Sequence, residues 1–258
     1  MQTTEPSSGS ERVLVLVKAL PEVSDKYGET VCCAGITAEG TWRRQFPIRF
    51  RSLDTKFRRW QWIEYDWRKP KNDPRPESRR VQEDTISTHG SLTKSKRSAF
   101  LAPHIRTSIA DAALRGETLA LVRPKNLKFK WKRKSDSEIE EERESYARAA
   151  AQTSFFDEDL KALNPCPVAF FYQYEDLDGR HEHRCLDWET SATYYRLIKT
   201  NSESEALERM EFIFGEQYPK DGVVFALGTH SRYPKTWLLV GVVRLDEHDE
   251  MFLNFFDS

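Results

Sequence analysis

Four segments, Arg12 to Leu20, Glu29 to Ile36, Thr41 to Phe50 and Trp60 to Trp67, fill most of the N-terminal stretch, and each is short and rich in β-branched or aromatic side chains. A pleated backbone favours such residues, and the pieces between them (Pro21 to Tyr27, Ala38 to Gly40, Arg51 to Arg59) are short connections with turn formers. That rhythm predicts a small, mostly antiparallel barrel or curled sheet. Beyond it, Lys69 to Arg80 holds Pro70, Pro74 and Pro76 among charges and reads as an extended loop.

The chain then changes character. Ile105, Ile109, Ala112 and Ala113 fit one face of a helix over Pro103 to Arg115, with Gly116 as its stop, and strands follow at Thr118 to Val122 and Leu127 to Trp131. At Ser135 the composition turns acidic, and Glu138, Glu140, Glu141, Glu142 and Glu144 open a helix capped at Asp136 or Ser137. After Asn164 and Pro165 the pattern predicts a hairpin of Val168 to Glu175 with His181 to Leu186 across Asp178-Gly179. Helices near Trp188 to Lys199 and Ser204 to Gln217 follow, then a second hairpin of Gly222 to Thr229 with Lys235 to Leu245. The fold class is therefore α+β, a mostly antiparallel β-rich, barrel-like N-terminal half followed by a smaller α/β C-terminal half. The expected organisation is a flexible tail over residues 1–10, a basic β-rich domain over 11–134, an acidic helical connector over 135–163 and an acidic α/β domain over 164–258.

Charge is sorted along this chain. Residues 42–134 carry 25 Lys and Arg against 9 Asp and Glu, so a net charge of -1 hides a segment at +16. A polyanion responds to the local field of a surface, so a clustered basic face points to a nucleic-acid partner. The first ten residues lack the basic and apolar regions of a signal peptide, and no apolar stretch approaches the roughly 20 residues that span a bilayer, so a cytoplasmic protein without a membrane partner is expected. The four cysteines, Cys32, Cys33, Cys166 and Cys185, show no Cys-x-x-Cys spacing and read as reduced thiols.

Between Trp42 and Arg80 lie 13 Lys and Arg, 5 Asp and Glu, and eight aromatic residues. Cations neutralise phosphates and aromatic faces stack on unpaired bases, so this mixture suits nucleic acid. Arg43, Arg44, Arg49, Arg51, Arg58 and Arg59 outnumber the acids near them in sequence and are the candidate phosphate contacts, with Trp42, Trp60 and Trp62 as candidate stacking residues. Alternation places one face of Trp60 to Trp67 in the core, so some of these rings are structural. Lys128, Lys130 and Lys132 alternate with Leu127, Phe129 and Trp131 and add a second cationic face; the plainer reading is a lysine-protected edge strand. Lys94, Lys96 and Arg97 form a third cluster.

A different chemistry is offered by His181, His183, Cys185 and Asp187, which an extended strand projects to one side. Two of them could join ligands from elsewhere, such as His230, around a divalent metal, and a nuclease or phosphoesterase would use them with Glu189. Four residues in a row do not surround a point, however, and Asp187 also suits the cap of the following helix. No phosphate loop, dinucleotide fingerprint or nucleophile elbow is present.

Two stretches, Gly40-Thr41-Trp42-Arg43-Arg44-Gln45-Phe46-Pro47-Ile48-Arg49-Phe50-Arg51-Ser52-Leu53 with Asp73 to Ser78, and His181 through Asp187-Trp188-Glu189, resemble those of an uncharacterised prokaryotic family of unknown function. The resemblance implies no activity. In that family paired cysteines precede the histidine and would make a small metal knuckle; Tyr174 to Arg180 contains none here.

The expectation is thus a DNA- or RNA-binding accessory or regulatory subunit with no cofactor beyond a divalent metal at the histidine strand. Alternatives are the metal-dependent nuclease or phosphoesterase, and an adaptor that docks a protein partner or its own copy through oppositely charged halves.

Overall fold

A computed structural model of the chain describes residues 6–24, 28–49, 57–153 and 164–247. It forms two compact units, Met1–Leu92 with Glu140–Pro165, and Thr93–Ile139 with Cys166–Ser258.

The first unit is a closed five-stranded barrel of β1 (Ser8–Lys18), β3 (Gly28–Thr37), β4 (Trp42–Arg49), β5 (Gln61–Arg68) and β6 (Ser78–Val81), with β2 (Glu22–Ser24) added to β3 and β7 (Ser87–Ser91) to β5. The strands run β1–β3–β4–β6–β5 and back to β1; β4 and β6 are parallel and the other pairs antiparallel. This is the Greek-key connectivity of an OB barrel. Ile63, Tyr65 and Trp67 point inward from β5, opposite Val13, Glu11 and Gly9, while Trp62, Glu64 and Asp66 point outward. At Gly35 a Cβ would lie 2.1 Å from the Leu14 carbonyl oxygen, so only glycine lets β1 and β3 approach where the wall bends.

The expected barrel is present, with its strand ends moved by long-range pairing. Ser8 to Ser10, read as tail, pair with Arg68 to Asp66 and begin β1. Ser78 to Val81, three of whose residues were read as loop, become the strand that closes the barrel, because β4 and β5 supply partners that no local signal reveals.

The second unit holds two sheets. One runs β10 (Lys125–Arg133), β11 (Val168–Asp176), β12 (Gly179–Arg184); the other runs β14 (Trp237–Arg244), β13 (Val223–Thr229), β9 (Leu119–Val122), β8 (Ile105–Arg106). Phe170, Tyr172, Tyr174, Tyr194, Phe214, Phe225 and Leu239 pack into one aromatic core. The helices are α1 (Lys94–Leu101), α2 (Ile109–Leu114), α3 (Asp136–Thr153), of which only the residues up to Ile139 belong to this unit, α4 (Trp188–Leu197), α5 (Glu203–Glu211) and α6 (Tyr218–Lys220), with wide π turns over Phe212–Gln217. The unit takes in β8, β9 and β10, which the sequence placed with the barrel. No helix among the described residues is long and apolar enough to cross a membrane.

Both expected hairpins form. The helix expected over Pro103 to Arg115 starts only at Ile109, because the Ser108 Oγ accepts from Asp111 N while Asp176 and Asp178 accept from the N–H groups of Ile109 and Ala110. The cap of α3 is Ser135 rather than Asp136 or Ser137: its N–H donates to Glu138 Oε2 at 2.8 Å and its Oγ accepts from Glu138 N at 3.3 Å, closing a capping box.

Candidate nucleic-acid interface

The β5–β6 pair sets Trp67 opposite Val81 and Arg68 opposite Arg80. Trp67 and Val81 are buried inside the barrel, so alternation turns Arg68 and Arg80 outward, and both are exposed. Like charges directly opposite one another destabilise a strand pair. Lys69 and Lys71 follow at once in the loop from β5 to β6, and Pro70 keeps that step extended. Together these residues, with Val81 and Gln82, line a cleft of about 520 Å3. Phe46, half-buried, lies in register with Arg80 on the next strand, so Phe46, Arg80 and Arg68 form one row across the outer wall.

The loop frame is fixed from within. Asp73 accepts from Arg75 at 2.6 and 2.8 Å and from Ser78 Oγ at 2.7 Å. Partial burial pushes the Asp73 carboxyl up, but the bonds from Arg75 and Ser78 outweigh it and hold the group below its ordinary range. Four of the six lining residues, Arg68, Lys69, Lys71 and Arg80, are cations, a lining whose charge suits an anion.

The arginines singled out by sequence are dispersed by the barrel. Arg43 points inward and donates to Glu11 at 2.7 Å, and Glu11 also accepts from the Tyr65 hydroxyl at 2.9 Å. Arg44 is 6% exposed and pairs with Glu77 at 3.1 Å. Arg79 lies inside as well, its guanidinium 3.9 Å from the Trp67 ring centre and 3.4 Å from Glu11. Arg49 is 71% exposed beside Glu83, Arg58 is exposed, Arg59 is half-buried, and Arg51 falls outside the described residues. Trp60 is a core residue, 5% exposed with φ of 68°, its N–H donating to the Val15 carbonyl at 2.8 Å. Trp42 and Trp62 are half-buried, Trp62 beneath the Arg12 guanidinium at 5.7 Å.

In the second unit Lys128, Lys130 and Lys132 are exposed on the outer face of β10, an edge strand. Register aligns Lys130 with Phe171 and Phe171 with Arg184, so a half-buried ring sits between two exposed cations. At the other end of this face Glu175 binds Arg180 and Asn126, and Glu182 binds Gln173. Near the cationic end, Glu138 lies below its ordinary range through bonds from Ser135, helped by Lys132 and Arg184. The alternate side chains take the opposite face: Phe129 stacks on Phe170 against the core, and the Trp131 indole, still exposed, donates to Glu211 at 2.8 Å.

The histidine row does not form a ligand set. His181 Nε2 bonds Asp176 Oδ1 at 2.7 Å, and His183 Nδ1 is 3.4 Å from the Tyr174 hydroxyl. Cys185 and Asp187 both turn to the Thr190 hydroxyl, at 3.6 and 3.3 Å. A strand spaces its same-face residues along a line, and here the two histidines find separate neighbours while Cys185 and Asp187 share Thr190. Among the described residues no three His, Cys, Asp or Glu side chains gather closely enough to hold a metal ion. His183 is held below its ordinary pKa by burial and by the neighbouring His181, so its imidazole is neutral at neutral pH.

Sequence reasoning missed Arg68, Lys69, Lys71, Arg80, Phe171 and Arg184. The signal was present as register: a basic residue outside each end of a strand pair shares a face only once the pairing is known.

Residues 9–105 match the family described as a domain of unknown function (DUF8758), and residues 106–256 match another described as a domain of unknown function (DUF8757). No curated protein matches the chain. Among solved structures the chain is similar to the tetrameric p202 HIN2, with 16% identity and a TM-score of 0.32 over 93% of each chain.

Proposed function

We propose that this chain, which belongs to the DUF8757 family of domains of unknown function, binds DNA or RNA through the outer wall of its barrel, as an accessory or regulatory subunit. The observation that carries the reading is the cleft in which Arg68 and Arg80 stand directly opposite, with Lys69 and Lys71 beside them. Like charges directly opposite one another disfavour a strand pair, and a phosphate between them turns that repulsion into attraction. The loop between the fourth and fifth barrel strands, which supplies Lys69 and Lys71, is one that OB barrels use to hold oligonucleotides.

The test is a salt titration of binding to a labelled oligonucleotide. Affinity is expected to fall steeply and linearly on logarithmic axes, with each lost phosphate contact reducing the slope by about 0.7 on a single strand and about 0.9 on a duplex. Arg68→Gln with Lys71→Gln should therefore lower the slope by about 1.4 on a single strand. Binding that ignores salt, or a double variant with an unchanged slope, removes the reading.

A further inference from the structure

Three strands of the second unit present a face whose chemistry is independent of the barrel. Lys128, Lys130 and Lys132 occupy successive outward positions of β10, at intervals of about 7 Å. That repeat is comparable with the step of an extended polynucleotide backbone. Neither Lys128 nor Lys130 has an ion-pair partner among the described residues. Beside Lys130, on the central strand, is Phe171, and beyond Phe171 is Arg184.

A lysine-protected edge explains the lysines alone. It does not explain an aromatic ring held on the outer side of the central strand between two cations, where a polar residue would suit a solvated face. A ring at that position offers a stacking surface to a flat, uncharged group, and the cations on either side hold the charges that such a group carries with it.

We infer that the outer face of the β10–β11–β12 sheet is a second nucleic-acid surface, selective for single strands, with backbone phosphates along Lys128, Lys130 and Lys132 and an unpaired base on Phe171. A duplex keeps its base faces stacked on one another, so Phe171 can discriminate in favour of the single strand while the lysines cannot. At the opposite end Glu175 is already paired with Arg180 and Glu182 is bonded to Gln173.

The experiment uses the full chain, a fluorescent oligothymidylate and a duplex of equal length, with melting temperature as the check on folding. Replacing the three lysines with glutamine should weaken single-strand binding by tenfold or more at low salt and lower the salt slope by about 2. Phe171→Leu, which keeps an apolar side chain, should weaken the single strand by roughly five- to a hundredfold and leave the duplex unaffected. If the lysine variant melts as wild type and binds with unchanged affinity and slope, the surface is overturned; if Phe171→Leu alters neither ligand or both equally, the stacking site is overturned. Arg68→Gln with Lys71→Gln, measured beside them, keeps the two surfaces apart. Loss confined to that pair overturns the sheet surface and leaves the barrel reading standing, loss confined to the sheet variants does the reverse, and loss in neither overturns both.

Discussion

Arg43 and Arg44 illustrate how a residue's neighbours in sequence differ from its neighbours in space. Few acids lie close to them in the chain, yet they reach Glu11 and Glu77 across the barrel. Glu11 is the centre of this interior charge set, touching Arg43 and Tyr65 with Arg79 nearby. Removing one partner of a buried pair leaves the other charge uncompensated, at a cost of about 3–5 kcal/mol. Glu11 and Arg43 are only partly buried, so Glu11→Gln is expected to destabilise the protein by less than that, about 1–3 kcal/mol in a urea melt, and a loss under about 1 kcal/mol would mean that water fully screens these arginines. Trp60 carries the same lesson for aromatics: its left-handed backbone removes it from the alternation that paired it with Trp62.

At the scale of elements, most of the fold was legible, because alternation and turn residues are local. The first, third, fourth and fifth strands, both later hairpins and the acidic helix lie where the pattern puts them. What was not legible is what register decides: β6, the late start of α2, and the row Phe46, Arg80, Arg68. The histidine strand shows the limit from the other side: β12 holds His181 and His183 as alternation puts them, while their neighbours Asp176 and Tyr174 come from the paired strand. In the β11–β12 hairpin His183 is neutral when folded, because burial and His181 depress its pKa from the ordinary 6.5. The unfolded chain takes up the proton first on acidification, so this contribution is present above about pH 6.5 and lost as pH falls. The stability gap between wild type and His183→Gln should narrow from pH 7.5 toward pH 5 in melts at each pH; a constant gap would mean that His183 is protonated equally in both states.

For the whole molecule, folding partly undoes the sorting of charge along the chain. Arg97 meets Asp246, Arg123 meets Glu247 at 2.7 Å and Arg133 meets Glu203 at 2.6 Å, each joining the basic segment to the acidic one within a single unit. Arg43 and Arg44 are neutralised inside the barrel. The cations left at the surface include the cleft at Arg68 and the stripe on β10, so local surfaces describe this protein better than its +16 segment does. The opposed arginines also couple salt to two properties with opposite sign. On the proposed reading, dissolved ions weaken the mutual repulsion of Arg68 and Arg80 and compete with phosphate for the same cleft. Melting temperature should therefore rise with moderate salt over the range in which oligonucleotide affinity falls, and Arg68→Gln should flatten the rise. If the cleft holds phosphate as proposed, ionic strength moves the stability of the empty protein and its affinity in opposite directions.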